Sequence, residues 1–251
     1  MNDAHIIKVF VEVILNYPPI SEFLKIIAPC ACLICHQRQK DVICTACQTC
    51  LLKEISTKKC VICANPHHTW VCKRCSVAKW AFDATHSLSS EHSRLVPLMK
   101  KFHLHGNLKQ SLGIFLAWEK IVSKDFLPVD LLIPLPEPLQ MTQLRGYQSN
   151  LEITKLLSKH RKIPCSLSFL DSYPSEAILS PTQSPFHITD QHELRSLVSN
   201  LRIGIVGNHM QSEYIYHHFA KALKSLGALW VSNWIMIRVP NKKSQTCSIL
   251  S

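Results

Sequence analysis

The chain has 251 residues, 47% of them hydrophobic, which is enough to bury a core and excludes a wholly disordered protein. Its formal net charge is +11 at pH 7. Such an excess favours polyanionic partners, either nucleic acid or a phosphorylated substrate, although a solvated basic surface would account for it equally well.

Residues 1–28 predict a short amphipathic helix, a break at a proline pair and a second apolar turn. The apolar run 6–15 contains Lys8 and Glu12, so it is too short and too charged to span a bilayer. It also lacks the basic flank and the small-residue cleavage site of a signal peptide. We therefore expect a cytoplasmic protein.

The next segment is rich in cysteine, because ten of the twelve cysteines lie within residues 30–75. Without an export signal, this crowding is typical of metal binding rather than disulfides. Eight of the cysteines form four CxxC pairs, a spacing that lets both thiolates of a tight knuckle face one metal. The predicted ligands of two structural Zn²⁺ ions are Cys32, Cys35, Cys44 and Cys47 for the first site, and Cys60, Cys63, Cys72 and Cys75 for the second.

The ligand set has alternatives, since Cys30 or Cys50 can replace a predicted ligand and the pairs can also be cross-braced. A redox role for CxxC competes, but four pairs so close together argue against it. Four thiolates per ion leave no open position for catalysis, which predicts a structural or recognition module. Eight thiolates on two Zn²⁺ would reduce the net charge to roughly +7.

Three aromatic residues, Trp70, Trp80 and Phe82, lie in or just after this segment with Lys and Arg among them. The pattern predicts either stacking against single-stranded nucleic acid or cover for the small core of a zinc ribbon.

Beyond residue 80 the pattern alternates between strands and helices. The predicted strands are 81–88, 129–135, 201–206 and 229–239, the predicted helices are 91–105, 107–124, 143–160 and 212–226, and 164–192 is the predicted long loop. Strand, helix and strand in succession make a βαβ unit, which requires a parallel sheet. We expect an α/β fold.

Several short segments occur in a recognisable order. They are the entry at 29–32, the four CxxC pairs, LMKKF at 98–102 followed by Gly106, LIPLP at 132–136, LRGY at 144–147 and AKALKSLGA at 220–228. This order resembles the ComF competence-protein family, in which a double zinc ribbon precedes a type I phosphoribosyltransferase-like domain. The resemblance implies an N-terminal helical segment at 1–28, a double zinc ribbon at 29–78 and a phosphoribosyltransferase-like domain of parallel α/β fold at 79–251.

The resemblance also implies a ligand site, and this chain departs from its pattern. In the family, two aspartates hold the ribose hydroxyls of phosphoribosyl pyrophosphate, and a Thr-Thr-Gly loop cradles its 5′-phosphate. Gly207 and Asn208 stand at the aspartate positions, and Glu213 replaces the loop glycine with a carboxylate that would repel a phosphate. Gln211 and Ser212 lie between Asn208 and Glu213, and Ser212 keeps a hydroxyl of the family's loop. We expect a degenerate ligand loop with no catalytic residue.

Two cations are candidate anion contacts in the same cleft, Arg145 at a turn and Lys101 in the LMKKF segment. Arg145 has the alternative role of pairing with a helix carboxylate, and Lys101 that of facing solvent.

The resemblance implies an accessory role in natural competence, the uptake and transformation of DNA, through binding of single-stranded DNA or a DNA-handling protein. An active phosphoribosyltransferase using phosphoribosyl pyrophosphate with Mg²⁺ is the first alternative, but this chain lacks the acidic ribose clamp that the activity requires. A zinc-ribbon adaptor that binds protein is the second.

Overall fold

The computed structural model describes residues 30–39, 41, 43–55, 58–105, 128–169, 186 and 191–239. The predicted helical segment 1–28, the predicted helix 107–124 and most of the predicted loop 164–192 lie outside these residues. The chain divides into two compact units, with the boundary between Gln48 and Thr49. Within the described ranges, no helix combines the length and apolar character that crossing a membrane requires.

The first unit contains a short antiparallel hairpin. Its strands are β1 (Cys30–Ala31) and β2 (Arg38–Gln39). Cys30 pairs with Gln39, and Ala31 pairs with Arg38. Helix α1 (Thr45–Ile55) follows the hairpin.

The second unit is built on a parallel sheet. Its elements are α2 (Lys73–Val77), β3 (Ala84–Ser90), α3 (Val96–His105), β4 (Leu131–Pro134), α4 (Leu139–Arg145), α5 (Ser149–Arg161), α6 (Gln191–Val198), β5 (Arg202–Met210), α7 (Glu213–Ser225) and β6 (Trp230–Arg238). The strand order is β3-β6-β5-β4, and every neighbouring pair is parallel. The predicted α/β class with a parallel sheet is confirmed. All four strands therefore end at the same edge.

Strand β5 lies inside the sheet, and every residue from Ile203 to Asn208 is buried. Successive strand residues point to opposite faces, so both faces of the sheet are covered. Helix α5 contacts β4 and β5, and α7 contacts β6. Gly204 leaves room for the side chain of Leu132 on the neighbouring strand, because a Cβ there would lie 2.8 Å from Leu132 Cδ2.

Two predicted elements differ from the observed ones. The predicted helix 143–160 is two helices, because Gly146 adopts a left-handed φ of 75° and ends α4 by donating its amide to the Thr142 carbonyl. The predicted strand 201–206 continues to Met210. Gly207 and Asn208 are poor strand formers, but pairing with β6 as far as Met210 and Arg238 keeps them extended.

Candidate metal centres and a cleft at the strand ends

The first cysteine cluster contains Cys32, Cys35, Cys44 and Cys47, whose sulfur atoms all lie within 4.8 Å of one another. Its first pair lies in a tight turn, closed by a hydrogen bond of 2.8 Å from the His36 amide to the Cys32 carbonyl. His36 has a φ of 61°, the left-handed conformation that closes the turn. Its second pair lies at the start of α1, where the Cys44 amide donates to Cys32 Sγ at 3.4 Å.

The second cluster repeats this layout with Cys60, Cys63, Cys72 and Cys75, again within 4.8 Å of one another. The Ala64 amide donates to the Cys60 carbonyl at 2.8 Å, and Ala64 has a φ of 56°. Cys72 precedes α2 and donates its amide to Cys60 Sγ at 3.3 Å. All four cysteines of this cluster are buried, whereas Cys35 of the first is exposed.

Both clusters fit a tetrahedral Zn²⁺. A Zn–S bond of about 2.3 Å places neighbouring sulfur atoms about 3.8 Å apart in a tetrahedron. The observed separations are 3.7 Å between Cys35 and Cys44, and 3.8 Å between Cys63 and Cys72. Two tetracysteine clusters that can hold zinc are therefore confirmed, and they are consistent with zinc ribbons. In each, the second pair lies at a helix start instead of in a second hairpin turn.

Two of the alternative ligand arrangements are not observed. Cys50 lies outside both clusters, and consecutive pairs share a cluster, so the described cysteines are not cross-braced. Their thiols are free, with no disulfide among them. The side chain of Cys30 lies outside the described part of the chain.

The pKa values of cysteines in both clusters are shifted from that of a free thiol. Burial acts to raise the pKa of Cys32, but backbone amides including those of Cys35 and Cys44 donate to its sulfur and lower the pKa to about 6. In the second cluster, hydrogen bonding to Cys60 raises the pKa of Cys63 to about 12. Metal binding requires thiolates, so a metal ion would displace the protons of these thiols.

The aromatic residues near the second cluster have different environments. Trp80 stacks on Phe82 with ring centroids 5.8 Å apart, and the Arg74 guanidinium lies 5.3 Å from the Trp80 ring. Phe82 is only 2% exposed, whereas Trp70 is 83% exposed. Trp80 and Phe82 therefore serve packing, and Trp70 is the one of the three that is open to a partner.

A cleft lies at the edge where the parallel strands end. It consists of two cavities of about 340 and 450 Å³, and both are lined by Asn208, His209 and Gln211. Arg145 also lines the smaller cavity and Lys100 the larger one. Ligands of open α/β sheets bind in this position, outside the carboxyl ends of the strands.

Asn208 lies at the centre of a buried polar network. Its backbone amide donates to Asn150 Oδ1 at 2.8 Å, and its side-chain amide donates to Ser149 Oγ. Asn150 in turn donates to the Leu135 carbonyl at 2.8 Å, and Glu137 accepts the amides of Ser149 and Asn150 at the start of α5. The network joins the ends of β4 and β5. Only Asn208 Oδ1, in a side chain that is 2% exposed overall, has no hydrogen-bond partner among the described residues of this network.

The predicted anion contacts have different positions. Arg145 lines the smaller cavity with its side chain 4% exposed, and its Nη1 lies 3.6 Å from Glu137 Oε2. It thus pairs with a carboxylate and also faces the cleft. Lys101 is exposed, and its neighbour Lys100 is the lysine that lines the larger cavity.

The turn between β5 and α7 contains only Gln211 and Ser212. Ser212 Oγ accepts the Tyr214 amide at 3.3 Å and caps α7. The Glu213 carboxylate is fully buried and pairs with Arg238 and Arg74. This differs from the expectation that it would face a phosphate, because two guanidinium groups hold it inside the protein.

The space beside Gly207, where the resemblance implied an aspartate side chain, is filled by another residue. A Cβ added to Gly207 would overlap the Tyr216 hydroxyl and lie 3.1 Å from Tyr216 Cζ. The same hydroxyl donates to the His209 carbonyl at 3.0 Å. Desolvation lowers the pKa of His209, which lines the cleft, below its ordinary value of 6.5.

Four residues on which the site depends were not predicted from the sequence: Glu137, Asn150, His209 and Arg238. Glu137 lies between two prolines directly after a strand, a signal that was available in the sequence. The burial of Arg238 had no sequence signal, because its partners other than the adjacent Val239 lie far away in the chain.

No protein-family model matches this chain, and a search among curated proteins finds no match.

Proposed function

We propose that this chain is a divergent member of the ComF family, with a double zinc ribbon and a phosphoribosyltransferase-like domain. It acts in the cytoplasm as an accessory factor in natural competence, and it binds single-stranded DNA without catalysing phosphoribosyl transfer. The observation that carries the DNA proposal is the exposed Trp70 on the basic surface of the second cysteine module.

That module has the charge that a nucleic-acid strand requires. Residues 58–82 contain five Lys or Arg residues and no Asp or Glu. Four thiolates and one Zn²⁺ would subtract about two charges, so the module would stay positive. Lys58, Lys73 and Lys79 are exposed, and Trp70 offers an aromatic face on which a base can stack.

The cleft supports the non-catalytic part of the proposal. An acidic ribose clamp at position 207 is obstructed by Tyr216, and a two-residue turn replaces the family's phosphate loop. The carboxylate of Glu137 is occupied in capping α5. Among the described residues, the other carboxylate that lines the cleft is Glu91, which lies in the larger cavity 3.6 Å from His92. Glu137 and Glu91 line different cavities and do not make the free carboxylate pair that would hold a magnesium-bound pyrophosphate.

The cleft still offers contacts for a phosphate-containing ligand without a metal. Arg145 and Lys100 supply positive charge, and Asn208 Oδ1 is a buried acceptor that a ligand hydroxyl would satisfy. We assign the cleft a binding role of this kind.

Fluorescence anisotropy with a labelled oligothymidine tests the DNA proposal on the zinc-loaded full chain. We expect binding that weakens with salt, and Trp70→Ala should weaken it about tenfold because one stacked base is lost. Val77→Ala, which removes an equally exposed apolar side chain of the same module, is the control. Absence of salt-dependent binding by the wild type would contradict the proposal and favour the protein-binding adaptor.

Calorimetric titration with phosphoribosyl pyrophosphate and Mg²⁺ tests the cleft. We expect no Mg²⁺-dependent binding up to about millimolar ligand, because no carboxylate pair is free to hold the cation. Tight binding that requires Mg²⁺ would instead support the active phosphoribosyltransferase.

A further inference from the structure

Arg238, the last residue of β6, is a buried charge with an unusual set of partners. It is 1% exposed and pairs with the Glu213 carboxylate. Its Nε donates to the Cys63 carbonyl at 2.8 Å. Its Nη1 donates to the carbonyl oxygens of Met210 at 2.7 Å and Val239 at 2.9 Å.

These partners belong to two different sites. Cys63 is a predicted ligand of the second metal site. Met210 ends β5 directly before the turn of the cleft, and Val239 lines the larger cavity. One planar, rigid guanidinium therefore joins the backbone of a metal ligand to the backbone at the floor of the cleft.

Arg74 makes a second link between the same two sites. It lies on α2 between the ligands Cys72 and Cys75, and its Nη2 is 2.9 Å from Glu213 Oε2. Glu213 is the first residue of α7, so it shares its carboxylate between Arg74 from the metal module and Arg238 from the sheet.

We propose that metal binding at the second cluster and the conformation of the cleft are energetically coupled through Arg238 and Glu213. Helix α2 has five residues, too few to be stable without the tertiary contacts of the cluster. Loss of the metal frees this helix and the Cys63 carbonyl. Arg238 then loses one of its four acceptors, and the strand ends that it holds loosen.

This coupling goes beyond the proposed function, because it requires neither DNA nor a phosphorylated ligand. Thermodynamic coupling is also reciprocal, so a change at Arg238 must alter the affinity of the second site for its metal. The effect of metal loss on the cleft and the effect of an Arg238 substitution on zinc affinity are tested by separate experiments.

Hydrogen–deuterium exchange tests whether loss of the metal at the second cluster alters the cleft. The zinc-loaded full chain is compared with its Cys75→Ser and Cys47→Ser variants. The two cysteines occupy equivalent positions in the second and first clusters. We expect Cys75→Ser to accelerate exchange at residues 208–215 by about fivefold or more, and Cys47→Ser to leave it unchanged. Equal exchange at 208–215 in the two variants, with zinc loss verified in each, overturns the proposal.

Equilibrium competition for zinc with a chromogenic chelator tests whether Arg238 affects the second metal site, and it decides the matter if Cys75→Ser does not fold. In a Cys47→Ser background only the second site keeps four ligands. We expect Arg238→Met to lower the zinc affinity of this site about fivefold or more, while Arg202→Met, at an exposed position on β5, has no effect. An unchanged zinc affinity in folded Arg238→Met overturns the coupling.

Discussion

The guanidinium of Arg238 and the carboxylate of Glu213 form an ion pair that is almost completely removed from solvent, with side chains 1% and 0% exposed. Desolvating two charges is costly, and their attraction offsets this cost only when the remaining donors and acceptors are also satisfied. Here the Cys63 and Met210 carbonyls and the Arg74 guanidinium supply the additional partners. The pair therefore fixes the start of α7 against both the sheet and the second cysteine module.

Removing the acid from this pair should be strongly destabilising. Glu213→Leu leaves the buried Arg238 without its counter-charge, and we expect it to lower the free energy of unfolding by about 3–5 kcal/mol. Urea unfolding of the zinc-loaded protein measures the change. Glu152→Leu is a matched control, since Glu152 also lies in the first turn of a helix but forms a partly exposed pair with Lys155. We expect it to cost about 1 kcal/mol or less, and equal losses would refute the special role of Glu213.

The contact between Gly207 and Tyr216 should appear as a coupling between two substitutions. Gly207→Ala places a methyl group against the Tyr216 hydroxyl, and overpacking of this kind costs about 1–3 kcal/mol. Tyr216→Phe removes that hydroxyl and leaves the ring carbon at 3.1 Å, so the double variant should recover part of the loss. A double-mutant cycle in urea measures this, and strictly additive losses would show that the close approach is relieved in another way.

Each of the two clusters should bind one zinc ion of its own. We expect two equivalents of zinc per chain, and one each in Cys47→Ser and Cys75→Ser, because a cluster with three thiolates holds zinc weakly. Inductively coupled plasma spectrometry after extensive dialysis gives the count. A Cys50→Ser variant should keep both ions, and loss of an ion there would return Cys50 to the ligand set.

The stability of the second unit should fall in mild acid because of His217. Its Nδ1 accepts the Ala81 amide at 3.0 Å, so the fold needs the neutral imidazole. Burial, helped by the charges of His218 and Lys221, lowers the pKa of His217 below the ordinary value of 6.5. The unfolded chain therefore binds more protons just below pH 6.5, and stability decreases as the pH falls from 6.5 towards the folded-state pKa.

His217→Asn separates this effect from acid loss of zinc, since an amide oxygen can accept the Ala81 amide but does not titrate. The urea midpoint of the wild type minus that of the variant should fall as the pH drops from about 8 to 5, because only the wild type loses this contribution. A constant difference across the range would contradict the assignment.

The sequence by itself determined the features that depend on local spacing or periodicity. Two residues between paired cysteines, with the same eight-residue gap in each half, predicted which four thiols meet while leaving cross-bracing open, and the structure confirms both clusters. Alternation of apolar strands with helical segments was likewise enough to predict a parallel sheet. Both are short-range patterns, so no knowledge of distant contacts was needed.

Only the tertiary structure decided which side chains face the cleft. Glu213 stands at the predicted loop position, but Arg238 and Arg74 hold its carboxylate inside, and Tyr216 fills the space beside Gly207. Cys63 and Arg238 are 175 residues apart in the chain, yet they share a hydrogen bond. Local sequence gives a residue's position along its strand or helix, whereas the direction and partners of a buried charge depend on packing between distant segments.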